Sequence, residues 1–154
     1  MWPRLVAIGA MAAALVTGAS ASAADAEIGW IKSVAGEAYV VRDAAKEMAV
    51  LGRPVYQGDR LETGADGSIG VTFTDNTVLS AGPNSTVVLE NYQYDAAGFE
   101  GGMLTELLQG TLAVTTGDIP RTAPDAMRVR TPAAILGVRG TRFLVKARGA
   151  APEG

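Results

Sequence analysis

The chain contains no cysteine and no histidine. Without cysteine there is no disulfide framework, no thiol nucleophile and no lipid attachment at a cysteine. Without histidine the commonest general base and the commonest metal ligand are both missing. Ser-His-Asp and Cys-His arrangements are therefore excluded by composition. Aromatic residues make up only 6% of the chain, and few stand beside basic ones. Together with a formal net charge of −3, this argues against a nucleic-acid surface. Long apolar runs are also lacking beyond the first twenty or so residues, so no later segment is expected to span a bilayer.

What is present begins with a pattern of export. Met1-Trp2-Pro3-Arg4 carries one positive charge, and Leu5 to Val16 is almost wholly apolar. Gly18 breaks the run, and the small residues Ala19-Ser20-Ala21-Ser22-Ala23 follow. This is the order of a cleavable secretory signal peptide. The apolar run of about 12 residues falls short of the roughly 20 that a spanning helix needs. Residues 1–23 are assigned to the signal, with cleavage after Ala23; cleavage after Ala21 is the second choice. The remaining segment is one domain's worth of chain, long enough to bury a sizeable core.

Charge is unevenly distributed. Asp25 to Pro120 holds five basic and fourteen acidic residues, whereas Arg121 to Gly154 holds seven basic and two acidic. Either the two halves fold against one another and neutralise, or a basic face is left for a partner.

The segment after the signal reads as strand nearly throughout. Ile69, Val71 and Phe73 alternate with Gly70, Thr72 and Thr74 before a turn at Asp75-Asn76, the pattern of a half-buried strand. Residues 36–42, 85–89, 110–115, 126–131 and 141–146 follow the same grammar, with Gly36, Gly67, Gly110 and Gly140 at strand starts. Residues 44–47 fit a helical turn or a polar hairpin loop, and the all-β context favours the loop. Met103 to Leu108 fits a helical turn or a strand, and the bracketing glycines favour strand. The predicted core is Ile69, Val71, Phe73, Val87, Leu89, Leu112, Val114, Val129, Phe143 and Val145. The expected fold is all-β: a single twisted β-roll, β-solenoid-like or sandwich domain of short strands over 24–146, with a flexible tail at 147–154.

The turns also carry a resemblance. Gly58-Asp59-Arg60-Leu61-Glu62-Thr63-Gly64 resembles the G-D-x-[IL]-x-T-G box of FecR-type domains, and Gly36 to Arg42 resembles their opening strand. Gly82-Pro83-Asn84-Ser85 is similar to their G-P-N-[ST] turn. Val129 to Phe143, with Thr131-Pro132 and Arg139-Gly140-Thr141, resembles their closing V-x-T-P…V-R-G-T-x-F signature. Asn76 stands where the family usually has glycine. The physical reading of Gly58, Asp59, Thr63, Gly64, Thr131, Pro132, Gly140 and Thr141 is structural, because these residue types dominate turns for backbone reasons. Family members include membrane-spanning regulators that relay an outer-membrane receptor signal to a cytoplasmic sigma factor. Here a cleavable signal stands where the cytoplasmic segment and membrane helix would be. The resemblance therefore implies a stand-alone exported domain, periplasmic or at the cell surface of a bacterium. Relatives often continue with further strands, so Thr141 to Lys146 is expected to be an edge.

Chemistry is mostly sought in vain. No Lys–Ser pair lies in a recognisable dyad motif. Asp59 with Glu62, or Asp66 with Asp75, are the available carboxylate pairs, and Asp66, Asp75 and Asn76 follow no known calcium-loop spacing. Neither catalysis, a cofactor nor a metal is expected. The most suggestive group is basic: Arg128 and Arg130 share one strand face, and Arg139 and Arg142 sit in the closing signature. If the two pairs stand together they form a cationic ridge for an acidic protein or an anionic envelope component. The function expected is a non-catalytic periplasmic or cell-envelope interaction module, in sensing or signalling. The alternative is a structural, oligomer-forming scaffold of the envelope.

Overall fold

A computed structural model describes residues 26–95, 97–98, 100–119, 126–138 and 142–149. The signal pattern, and Arg139, Gly140 and Thr141, lie outside the described residues.

The described residues are almost entirely strand, as the alternation predicts. They form one strongly curled sheet whose two ends make facing layers. One layer runs β4 (Pro54–Tyr56), β1 (Glu27–Ala35), β6 (Ser68–Phe73), β7 (Val78–Ala81), then the second half of β9 (Glu100–Thr115), then β12 (Arg142–Ala147). The other runs β3 (Ala45–Met48), β2 (Ala38–Arg42), β5 (Arg60–Thr63), β8 (Thr86–Asp95), the first half of β9, β10 (Met127–Arg130) and β11 (Ile135–Gly137). Pairing is antiparallel except between β10 and β9.

β9 is thus common to both layers, and Gly110 marks the passage between them. Its φ is +96°, in the region that favours glycine. An added Cβ would sit 2.1 Å from Ser85 Oγ and 2.5 Å from Ser85 Cα. Only glycine lets β9 cross the Gly82-Pro83-Asn84-Ser85 turn this closely.

The core lies between the layers. Ile31, Val55, Ile69, Val71, Phe73, Leu79, Leu112 and Val114 point inward from one side. Val40, Leu61, Val87, Leu89, Leu107, Met127 and Val129 point inward from the other. Phe73 stacks on Tyr92 with ring centroids 5.4 Å apart. Nine of the ten predicted core residues are buried, and Phe143 is half-buried against the cluster. Phe143 is less covered because β12 pairs with β9 alone among the described residues, which makes it the edge strand expected.

Three differences from the sequence reading have local causes. Ala45–Met48 is a strand rather than loop. Asp43 and Ala44 both have positive φ, +50° and +64°, as in the two-residue turns that match strand twist, and so β3 folds straight back on β2. Lys46 then lies over the Tyr39 ring and pairs with Glu62 at 3.0 Å. Second, not all strands are short: β8 has 10 residues and β9 has 16. Third, Ala147, assigned to the tail, is a buried residue of β12 opposite Gly110.

Candidate functional site

The signature residues come first, because burial concentrates there. Asp59 is fully buried. Arg42 donates to both its oxygens at 2.7 and 2.6 Å, and the Tyr56 amide donates at 2.9 Å. Arg42 also lies 4.2 Å over the Tyr56 ring. The Asp59 hydrogen bond raises the guanidinium pKa still further and keeps Arg42 charged. Leu61 points into the core. Thr63 Oγ1 donates to the Gly82 carbonyl at 2.7 Å and accepts from the Ser85 amide at 2.9 Å. The Asn84 amide donates to the Gly64 carbonyl at 3.0 Å. Ser85 Oγ accepts from the Thr111 amide at 3.0 Å. The Thr63-Gly64 box, the Gly82–Ser85 turn and the β9 bend are therefore one polar clamp.

A second buried acid sits in the Asp75-Asn76-Thr77 turn, with Asn76 at φ +69°. Asp75 accepts from the Thr77 amide and hydroxyl at 3.1 and 2.7 Å. It also accepts from the Tyr92 hydroxyl at 3.2 Å and the Ile119 amide at 3.3 Å. Both buried carboxylates are thus used to bind their own chain. Neither carboxylate pair expected from the sequence acts as a pair. Asp59 is engaged by Arg42, and Asp75 by its own turn, while Asp66 stands exposed near Gly36. No group of three or more carboxylates that could hold a metal occurs among the described residues. Thr131 closes the β10–β11 turn through its amide to the Ala134 carbonyl at 2.8 Å, next to exposed Pro132.

Of the four arginines of the expected ridge, Arg128, Arg130 and Arg142 are described. Arg128 and Arg130 do share the outer face of β10, with Met127 and Val129 buried beneath. Arg130 reaches back to the acidic half, donating to Glu90 at 2.9 and 3.1 Å and lying 4.0 Å from Glu106. Arg128 stands opposite Leu104 of β9, whereas Arg142 stands opposite Thr115, beyond the Gly110 bend. The two arginines thus stand beside different halves of β9. Arg139 lies outside the described residues, so of the second pair only Arg142 is placed, beside the other half of β9. Around Arg130, a hydrogen bond with Glu106, and then burial, raise the Glu90 carboxyl above the usual range, while Arg130 pulls it back.

A feature that the sequence reading did not isolate lies on β12. Arg142, Leu144, Lys146 and Arg148 are exposed, while Val145 and Ala147 are buried. The period-two spacing of cations around Leu144 was the available signal. Beside them Leu136, Val138, Phe143, Leu144 and Val145 line a groove of about 250 Å³ between β11 and β12.

The family model described as FecR protein matches residues 59–153. The chain belongs to the FecR family. That family is a regulatory and signalling one, typically associated with the cell envelope. Searches of curated proteins and of solved structures return no match. The match opens at Asp59, yet in this FecR protein β1 to β4 precede it and supply Ile31, Val40 and Val55 to the same core. No helix among the described residues is long and apolar enough to cross a membrane.

Proposed function

We propose that this chain is an exported, non-catalytic module of the bacterial cell envelope that acts in sensing or signalling by binding a protein partner. The observation that carries the reading is the FecR match over 59–153. Two features support it. Residues 1–23 have the order of a cleavable signal. The buried carboxylates Asp59 and Asp75 are fully engaged within the chain, which leaves them to hold turns rather than to exchange protons with a substrate.

Crosslinking in intact cells of the source bacterium tests the reading. The protein recovered from the envelope fraction begins at Ala24 or Ser22 and is crosslinked to a different envelope protein. Recovery of self-adducts alone would transfer support to the scaffold alternative. An uncleaved chain confined to the cytoplasm would overturn the reading altogether.

A further inference from the structure

We infer that the free edge of β12 is a docking strand for an extended acidic peptide segment, which adds to the sheet beside it. This rests on the binding-module reading and names the surface and the chemistry of the partner.

The geometry has three parts. β12 is registered to β9 over six residues, from Arg142↔Thr115 to Ala147↔Gly110, and has no neighbour on its other side among the described residues. Its unpaired backbone groups are a template for one more strand. Beside that edge lies the apolar groove of Leu136, Val138, Phe143 and Val145. Among the described residues β12 ends one layer and β11 the other, and the groove lies between them. On the outward face, Arg142, Lys146 and Arg148 flank Leu144, and none of the three has an ion pair among the described residues. By contrast Arg42, Lys46, Arg53, Arg60 and Arg130 each hold a carboxylate.

Charge selects the occupant. A second copy pairing β12 to β12 would bring both sets of cations together, and like charges across a strand pair are destabilising. A basic segment meets the same repulsion. An extended segment that alternates acidic with apolar residues would place carboxylates beside Arg142, Lys146 and Arg148 and its other side chains in the groove. Lysines on an edge can serve merely to prevent aggregation. Such an edge has no need of an apolar surround, however. Here Ile135, Leu136 and Leu144 are 59%, 41% and 70% exposed, and clustered exposed apolar side chains mark interaction surfaces.

The test uses the purified chain and three fluorescent ten-residue probes followed by anisotropy. One alternates glutamate with valine, one alternates lysine with valine, and one is the glutamate peptide N-methylated at alternate residues. The glutamate peptide should bind at least about tenfold more tightly than either of the others, and less tightly as salt is added. The double substitution Arg142→Glu, Lys146→Glu should invert the preference between acidic and basic peptides. Both side chains are exposed, so its melting temperature should match the parent's. Should it fail to fold, Arg148→Glu gives the same readout with a change of about two- to threefold. Equal binding of acidic and basic probes would overturn the inference, as would indifference to charge reversal. So would a β12-dependent dimer in sedimentation, or charge removal that only increases aggregation. A photo-crosslinker at position 144 separates the two levels. If it captures nothing while one at Gln93, on the other layer, captures an envelope protein, the docking strand is refuted and the module reading stands. If neither captures an envelope protein, the module reading itself fails.

Discussion

Replacing Gly110 by alanine should be among the most damaging small substitutions in this domain. Two costs combine. At φ +96° a side chain imposes backbone strain of about 1–3 kcal/mol. The new methyl would also meet Ser85 Oγ, Cα and Cβ at 2.1, 2.5 and 2.6 Å, and overpacking of this kind costs about 1–3 kcal/mol. The total of about 2–6 kcal/mol is a large share of the stability of an ordinary domain. Gly52 supplies the internal control. Its φ is +82°, but an added Cβ would meet nothing within 4 Å, so Gly52→Ala should cost only the backbone part, about 1–2 kcal/mol. Urea unfolding of both variants measures the difference directly. In a cycle with Ser85→Gly, the Gly110→Ala cost should fall by about 1 kcal/mol or more, because part of the obstruction is gone. If Gly110→Ala were no worse than Gly52→Ala, β9 would not be pinched against the Ser85 turn, and another cause of its bend would be needed.

Phe73→Ala should cost about 3–5 kcal/mol, since Phe73 is buried and stacked on Tyr92; half-buried Phe143→Ala should cost distinctly less in the same melt, and equal losses would refute the edge placement of β12. Thr105 Oγ1 is buried without a hydrogen-bond partner among the described residues, so Thr105→Val should raise stability by about 1 kcal/mol or more in urea unfolding, and a loss would reveal a hidden partner. Burial pushes the Tyr92 hydroxyl well above the ordinary tyrosine range. The folded value exceeds the unfolded one near 10, so this contribution to stability is complete below about pH 10 and lost as pH rises through the folded value. Ultraviolet titration should show Tyr92 ionising only with alkaline unfolding, and Tyr92→Phe should remove that late step.

Much of this protein was determined locally. The inward faces of β6, β8, β9 and β10 follow from alternation alone, because a strand's side chains repeat every two residues whatever its neighbours are. The turn at Asp75-Asn76 and the turn at Thr131-Pro132 follow from turn chemistry in the same way. The family boxes were legible because they are turns, and turns are read within a few residues. The tertiary structure alone decided which strands meet. Arg130 looked available in sequence, yet the parallel pairing of β10 with β9 sets it beside Glu90 and Glu106. Arg128 and Arg142 lie fourteen positions apart in the chain, but β9 separates them across its bend. The Ala45–Met48 strand, with no buried face of its own, exists because Tyr39 and Glu62 are already in place beside it. Strand order, the sharing of β9 by two layers and the open edge at β12 all depend on pairings between residues distant in sequence. Their cost is chain closure and their gain is burial in a common core. Neither quantity is written in any one segment.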